Sequence, residues 1–480
     1  MSEKKRVAII GAGLAGLVAA YELRNVAAVT VFEAEDRIGG KLRTVPFKAG
    51  PVDMGAEAYL ARREDATEFI QQLGLGDSLR YPSGLPSAVY AEGALHSMPR
   101  GTLMGIPAKG ETVEGICSAE TVARIAAEGS AEPISWTPGQ DMSVGALVRS
   151  RYGDEVVEKL VDPLLGGVYS CLADDLSVRA TVPKLAKALD EAAQAGEPVT
   201  LSGAVASVVA GFSTEAASGN GGTRPVFATF ATGYHEFYDA LAEQSGAEIY
   251  VDSFISSIKR ETKGASKGAA NGTWSINNER FDAVILAVPA PTAAGLLRGV
   301  DRDLAATVGG INLASSAVVG FAFADDSFIP QNSGILVATK SDLHAKAFTF
   351  WSRKWPHVAE RGGAVVRVSF GRLGDDALVR AEEDTLVDLA LEDLSTVLGV
   401  TVPEPAEIFV QRWYGGLPHI APGHQERVKD IESALATSLP GMYVAGAWTH
   451  GVGVPDIIAS TRELAQSVAD YFETGRSNND

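Results

Sequence analysis

The sequence predicts an α/β protein that opens on a Rossmann-like βαβ unit with a parallel sheet. Three observations carry that expectation. The chain has 480 residues, 46% hydrophobic and 21% charged, a globular composition long enough for two or three domains. Its first forty residues run strand, glycine-rich turn, helix, strand. Its end again runs strand, glycines, helix, so the first domain returns late in the chain.

The elements follow in order. Val7, Ala8, Ile9 and Ile10 form a short apolar run suited to a strand buried on both faces. Residues 17–23 are helix formers, and residues 29–32 read as a second strand that needs a right-handed crossover. Residues 121–128, 156–165 and 185–195 look helical. Residues 200–222, rich in Gly, Ser, Ala and Thr, read as a flexible loop or lid. Strands are expected at 249–258, 281–288, 365–370 and 442–445, with helices at 385–398 and 455–472. Residues 304–324 lack charge, yet their glycines and polar residues favour a buried strand from Ala317 to Phe323 over a membrane span.

Lys and Arg number 41 against 60 Asp and Glu, a net charge of −19. That balance argues against nucleic acid and anionic membrane surfaces as partners. An anionic substrate would need a local concentration of cations. The two cysteines, Cys117 and Cys171, have neither metal-ligand nor C-x-x-C spacing, so no disulfide framework or zinc site is expected and a reducing cytoplasm fits. The basic start is followed by too short an apolar run for a signal peptide.

Gly11, Ala12, Gly13, Leu14, Ala15 and Gly16 fit G-x-G-x-x-G. Gly11 allows the turn off the strand, Gly13 lets the backbone approach a pyrophosphate, and Gly16 lets helix and strand pack closely. The helix N-terminus then offers free N–H groups and the positive end of its dipole. Glu33, 22 positions after Gly11, is placed to accept hydrogen bonds from ribose hydroxyls and to repel a 2′-phosphate. Near the other end, residues 442–448 run into Gly446, then Gly451, Val452, Gly453, Val454 and Pro455, with proline suited to a first helical turn. Trp413 is a candidate ring to pack on a cofactor. The seven histidines form neither H-x-x-x-H nor H-E-x-x-H; His450, beside the glycine turn, is the candidate for a functional role.

Glu33, Ala34, Arg37, Gly39, Gly40, Lys41 and Thr44 match the double-glycine motif E-A-x-x-R-x-G-G-[RK]-x-x-[ST] of the flavin amine-oxidase and porphyrinogen-oxidase superfamily. Residues 52–60, 98–107, 161–169 and 451–456 extend the likeness over nearly the whole chain. Together they make the sequence similar to the oxygen-dependent porphyrinogen oxidases of haem synthesis, in the soluble Gram-positive type that makes coproporphyrin III. This resemblance implies a three-part architecture. A Rossmann-like FAD domain comes from residues 1–80, 225–295 and 411–480. A mixed-sheet substrate domain comes from 81–107, 196–224 (with its loop) and 296–410, and a helical domain from 108–195.

The resemblance also implies FAD as cofactor. Its contacts would be Gly11, Ala12, Gly13, Leu14, Ala15, Gly16, Glu33, Ala34, Arg37, Gly40, Lys41, Gly55, Ala56, Glu57, Ala58, Ile255, Trp413, Gly446, Val452, Gly453 and Val454. Where the family often has G-P-[DN]-S, this chain has Gly55, Ala56, Glu57 and Ala58, which removes a proline and a hydroxyl. The implied partners are a porphyrinogen and dioxygen, with a ferrochelatase as a candidate recipient of product. Arg62, Arg63 and Arg100 are the candidate contacts for substrate propionates. Protoporphyrinogen IX oxidase is the close alternative; a flavin amine oxidase or a non-catalytic flavin-binding protein is more distant.

Overall fold

The computed structural model describes residues 4–218, 225–261 and 273–477. They divide into two compact units. One comprises Met1–Arg80, Val226–Asn312 and Gln425–Asp480; the other comprises Tyr81–Pro225 and Leu313–His424.

The first unit is built on a five-stranded sheet in the order Glu248–Tyr250, Ala27–Phe32, Lys5–Ile10, Ala283–Leu286, Met442–Val444. Every neighbouring pair is parallel. The alternation of side chains along the strands divides the core in two. Val7, Ile9, Val29, Val31 and Ile285 face one layer, packed with residues of the helices Leu14–Leu23, His235–Ser245 and Val454–Ser477. Ala8, Ile10, Phe32, Val284 and Leu286 face the other, with Trp274, Leu297, Val308 and Ile431. Burial on both faces is why these strands read as unbroken apolar runs.

The second unit holds a seven-stranded mixed sheet. Its order is Glu407–Pro418, Leu313–Phe323, Ala364–Phe370, Ala347–Phe350, Gly334–Val337, Ser87–Ala91, Ala94–Ser97. Only the pairing of Gly334–Val337 with Ser87–Ala91 is parallel. Phe321, Val319, Val366 and Val368 pack under the helix Glu383–Leu398 through Leu386, Ala390 and Leu394. A separate helical cluster gathers Val148, Tyr152, Leu165, Leu185, Leu189, Leu201 and Val205.

Two expectations change, and a third, the buried strand from Ala317 to Phe323, holds with a longer extent. Residues 200–222 are not a loop over their described part: Leu201–Ser218 is a helix, with Leu201, Ala204 and Val205 buried in the helical cluster; residues 219–222 lie outside the described residues. Residues 249–258 are a strand only through Tyr250, after which the chain turns back on residues 33–35. Residues 304–324 split into the end of the helix Arg302–Gly309 and the strand Leu313–Phe323, whose interior position in the sheet accounts for the missing charge. Among the described residues, no helix is long and apolar enough to cross a membrane, and no cluster of His, Cys, Asp and Glu could hold a metal. Cys117 and Cys171 are buried free thiols, each pushed up to about 12 by burial.

Candidate functional site

The first strand ends at Ile10, and the chain turns at once into the helix Leu14–Leu23. Gly13 caps that helix without a side-chain hydrogen bond, and no acidic residue stands in its first turn. Its leading N–H groups and positive dipole end are therefore left for an anion. The three glycines differ in why they are needed. Gly11 has φ +103°, and a Cβ there would lie 2.5 Å from the Ala287 carbonyl oxygen. A Cβ on Gly16 would meet the Gly11 carbonyl oxygen at 1.9 Å. At Gly13 nothing in the protein demands glycine, because a Cβ would find only the Gly40 Cα, 3.9 Å away.

The segment after the second strand is knitted onto this turn. The Glu33 carboxylate accepts from the Ala12 N–H at 2.7 Å and the Glu35 N–H at 2.9 Å. The Gly39 N–H donates to the Ala12 carbonyl at 2.9 Å. Arg37 donates Nη2 to the Gly40 carbonyl at 2.7 Å and Nη1 to Ile38 at 3.1 Å, while its buried Nε meets no acceptor among the described residues. Burial, with Arg43 nearby, holds its guanidinium below the ordinary value. Burial alone pushes the Lys41 ammonium down to about 8.

The loop at 55–58 joins through the Ala56 N–H to the Lys41 carbonyl at 3.2 Å, and through Met54 to Arg43 at 2.8 Å. Asp53 fixes its base, accepting from the Thr44 hydroxyl at 2.5 Å and the Tyr234 N–H at 3.1 Å. The Asp252 and Ser253 N–H groups donate to the Glu35 and Glu33 carbonyls, which brings the buried Ile255 segment to the same end of the sheet.

The C-terminal part closes the site. Ala445 continues the pairing of the last strand by donating to Leu286 at 3.0 Å, and Trp448 Nε1 donates to the Val288 carbonyl at 2.9 Å. Val454 shares a core with Leu14 and Leu42, and Arg462 pairs with Glu22 at 2.9 Å, so the helices Leu14–Leu23 and Val454–Ser477 run against each other. Gly446 has φ +125° and open space around it.

Two sequence candidates are engaged elsewhere. Arg63 is occupied by carboxylates, Asp65 at 2.8 Å and Asp456 at 2.6 Å. His450 Nε2 lies 2.7 Å from a Glu432 carboxylate oxygen, and that hydrogen bond raises its pKa. Arg62 is exposed. Trp413 and Arg100 belong to the second unit, Trp413 opposite Ser316 in the mixed sheet. Sequence reasoning missed Asp456 and Asp53 as organisers of the site. An acidic residue in the first turn of a helix was the available signal for Asp456.

A dinucleotide fits these features: a cradle that a side chain at Gly13 would fill, an unsatisfied Arg37 Nε, and an uncapped helix N-terminus. A coproporphyrinogen III oxidase of Mycobacterium leprae is 38% identical over 472 residues, covering 96% of this chain and 97% of that protein. One of Bacillus subtilis is 30% identical, with 98% and 99% covered. The solved structure of a candidate protoporphyrinogen oxidase from Exiguobacterium sp. 255-15 superposes with a TM-score of 0.83 at 28% identity, over 97% of this chain and 99% of that one. The family model described as "Flavin containing amine oxidoreductase" matches residues 14–469. By fold and sequence, the chain belongs to the family of flavin-containing amine oxidoreductases and is a flavin-dependent oxidase.

Proposed function

We propose that this oxidase converts coproporphyrinogen III to coproporphyrin III in haem synthesis, with FAD as cofactor and dioxygen as acceptor. The observation that carries the reading is full-length similarity, at 38% identity, to a protein of that activity. When bound, FAD would supply hydride acceptance for three two-electron oxidations, each hydride lost from a methylene bridge being matched by a proton, so that three dioxygen are reduced to three hydrogen peroxide in all.

The chain's own part is to bind, orient and exclude. The N–H groups at Gly13 to Gly16 would hold the pyrophosphate, with Arg37 Nε and the Lys41 ammonium adding positive charge. Glu33, already fixed by the Ala12 N–H, would take the ribose hydroxyls and disfavour a 2′-phosphate. Residues 55–58, the Ile255 segment and the 446–454 turn would complete the cradle. A methylene bridge between two pyrroles is already activated, so orientation rather than an acid–base set is the main demand. Arg62 and Arg100 remain the candidates for propionates. The division of the second unit into substrate and helical domains, a cytoplasmic location and delivery of product to a ferrochelatase belong to the same proposal.

Protoporphyrinogen IX is the second reading, favoured by the Exiguobacterium structure. The test is to incubate the yellow protein in air with coproporphyrinogen III, protoporphyrinogen IX and simple amines. Red porphyrin fluorescence and peroxide, with the highest kcat/KM for the first, are expected. Peroxide from amines alone would refute the proposal, and a higher kcat/KM for protoporphyrinogen would replace it with the second reading.

A further inference from the structure

Residues 451–453 run straight into the helix Val454–Ser477, and the third residue of that helix, Asp456, turns its side chain back onto them. A Cβ on Gly453 would lie 2.8 Å from Asp456 Oδ2, and one on Gly451 would lie 2.9 Å from the Asp456 Cβ. The carboxylate thus fills the space that side chains at either glycine would need.

Its other oxygen, Oδ1, accepts from Arg63 Nη1 at 2.6 Å. Arg63 is itself pinned, donating Nε at 3.0 Å and Nη2 at 2.8 Å to the two oxygens of Asp65. Asp65 lies in the first turn of the helix Glu64–Gln72, which Arg63 precedes. Carboxylate, guanidinium and carboxylate therefore link two helix N-termini that are 393 positions apart in sequence. A fork already bonded on both sides is poorly placed to capture a substrate propionate.

We infer that Arg63 and Asp456 form a positioning pair that fixes the 451–453 turn and sets the electrostatic potential at the N-terminus of the helix Val454–Ser477. The inference rests on the reading that this turn holds the flavin. A helix N-terminus stabilises negative charge that develops nearby, and a carboxylate in its first turn opposes that effect unless it is neutralised. Arg63 supplies the neutralisation, and its second bond to Asp65 keeps it in place.

The two halves of the pair should act in opposite directions. Arg63→Gln leaves Asp456 uncompensated and should lower the midpoint potential of the bound flavin. Asp456→Asn keeps the acceptor to Arg63, removes the negative charge and should raise it. The double variant should return near the wild-type potential, and Arg63→Lys should hold it there. Each change corresponds to about a two- to five-fold shift in the ratio of reduced to oxidised cofactor binding.

A merely structural role predicts otherwise: weaker FAD retention in both single variants and potentials that do not diverge. Potentials that are unchanged, or that move in the same direction, would overturn the pair's electrostatic role. Titration of the apoproteins with FAD, followed by fluorescence quenching, separates this from the underlying reading. Wild-type protein that never takes up FAD would remove the cofactor assignment, whereas wild type that binds normally leaves the pair to be judged by the potentials.

Discussion

A methyl group added at Gly16 would overlap the Gly11 carbonyl oxygen, whereas one added at Gly13 would touch only the Gly40 Cα at van der Waals distance. The two substitutions should separate folding from binding. Gly16→Ala should destabilise the protein by about 1–3 kcal/mol through overpacking. Gly13→Ala should leave the melting temperature of the apoprotein unchanged and lose most of its FAD in a fluorescence titration. Tight FAD binding by the alanine variant at position 13 would contradict the cradle.

Lys41 offers a pH test. Its ammonium titrates near 8 because burial disfavours charge, so a bound anion should raise its pKa again. FAD affinity should therefore fall as pH rises through about 8, and Lys41→Gln should flatten that dependence. The pKa shift at His450 runs in the opposite direction. The Glu432 hydrogen bond raises its folded pKa above the ordinary value, so the pair's stabilisation is complete below the unfolded pKa, about 6.5, and is lost as pH climbs through the folded one. Glu432→Gln should return the His450 ring resonances to an ordinary titration midpoint.

Among the elements, the strand Leu313–Phe323 lies between two antiparallel neighbours, and Phe321 is fully buried beneath the helix Glu383–Leu398. Phe321→Ala should cost about 3–5 kcal/mol in a urea titration. A cost below 1 kcal/mol would show that this layer is loosely packed. The strand was legible in the sequence because a central strand is apolar on both faces. The two flanking strands of the glycine turn were legible for the same reason, and the turn itself because Gly11 and Gly16 each answer a steric demand within the protein. The helix Leu201–Ser218 escaped notice because small residues carry it: Ala, Ser and Gly blur the 3.6-residue period, and among its described side chains the apolar ones on its packed face are Leu201, Ala204 and Val205, buried, with Val208, Val209 and Phe212 partly buried. The end of the strand at Tyr250 was equally hidden, since Val251, Phe254 and Ile255 keep strand-like composition while the backbone is bent by hydrogen bonds to residues 33 and 35. At Arg63 the sequence shows a cation but not the two carboxylates that converge on it.

For the whole molecule, a net charge of −19 meets a proposed substrate with four propionates. Like charges slow the encounter, and salt shortens the reach of that repulsion from about 30 Å at 0.01 M to about 8 Å at 0.15 M. kcat/KM for coproporphyrinogen should rise over that range of sodium chloride. A steep fall would show that a local cluster of cations dominates the approach.

The strand Lys5–Ile10 lies in the middle of a sheet whose other side is supplied by Ala283–Leu286 and then by Met442–Val444. On the ribosome, the first of these leaves the exit tunnel long before its partners have been made. At elongation rates of about 5–20 residues per second, the nascent chain waits on the order of tens of seconds with the backbone N–H and C=O groups of one strand edge unpaired. A chain truncated before Met442 should therefore leave the sheet incomplete and fail to retain the proposed cofactor, which a fluorescence titration with FAD would check.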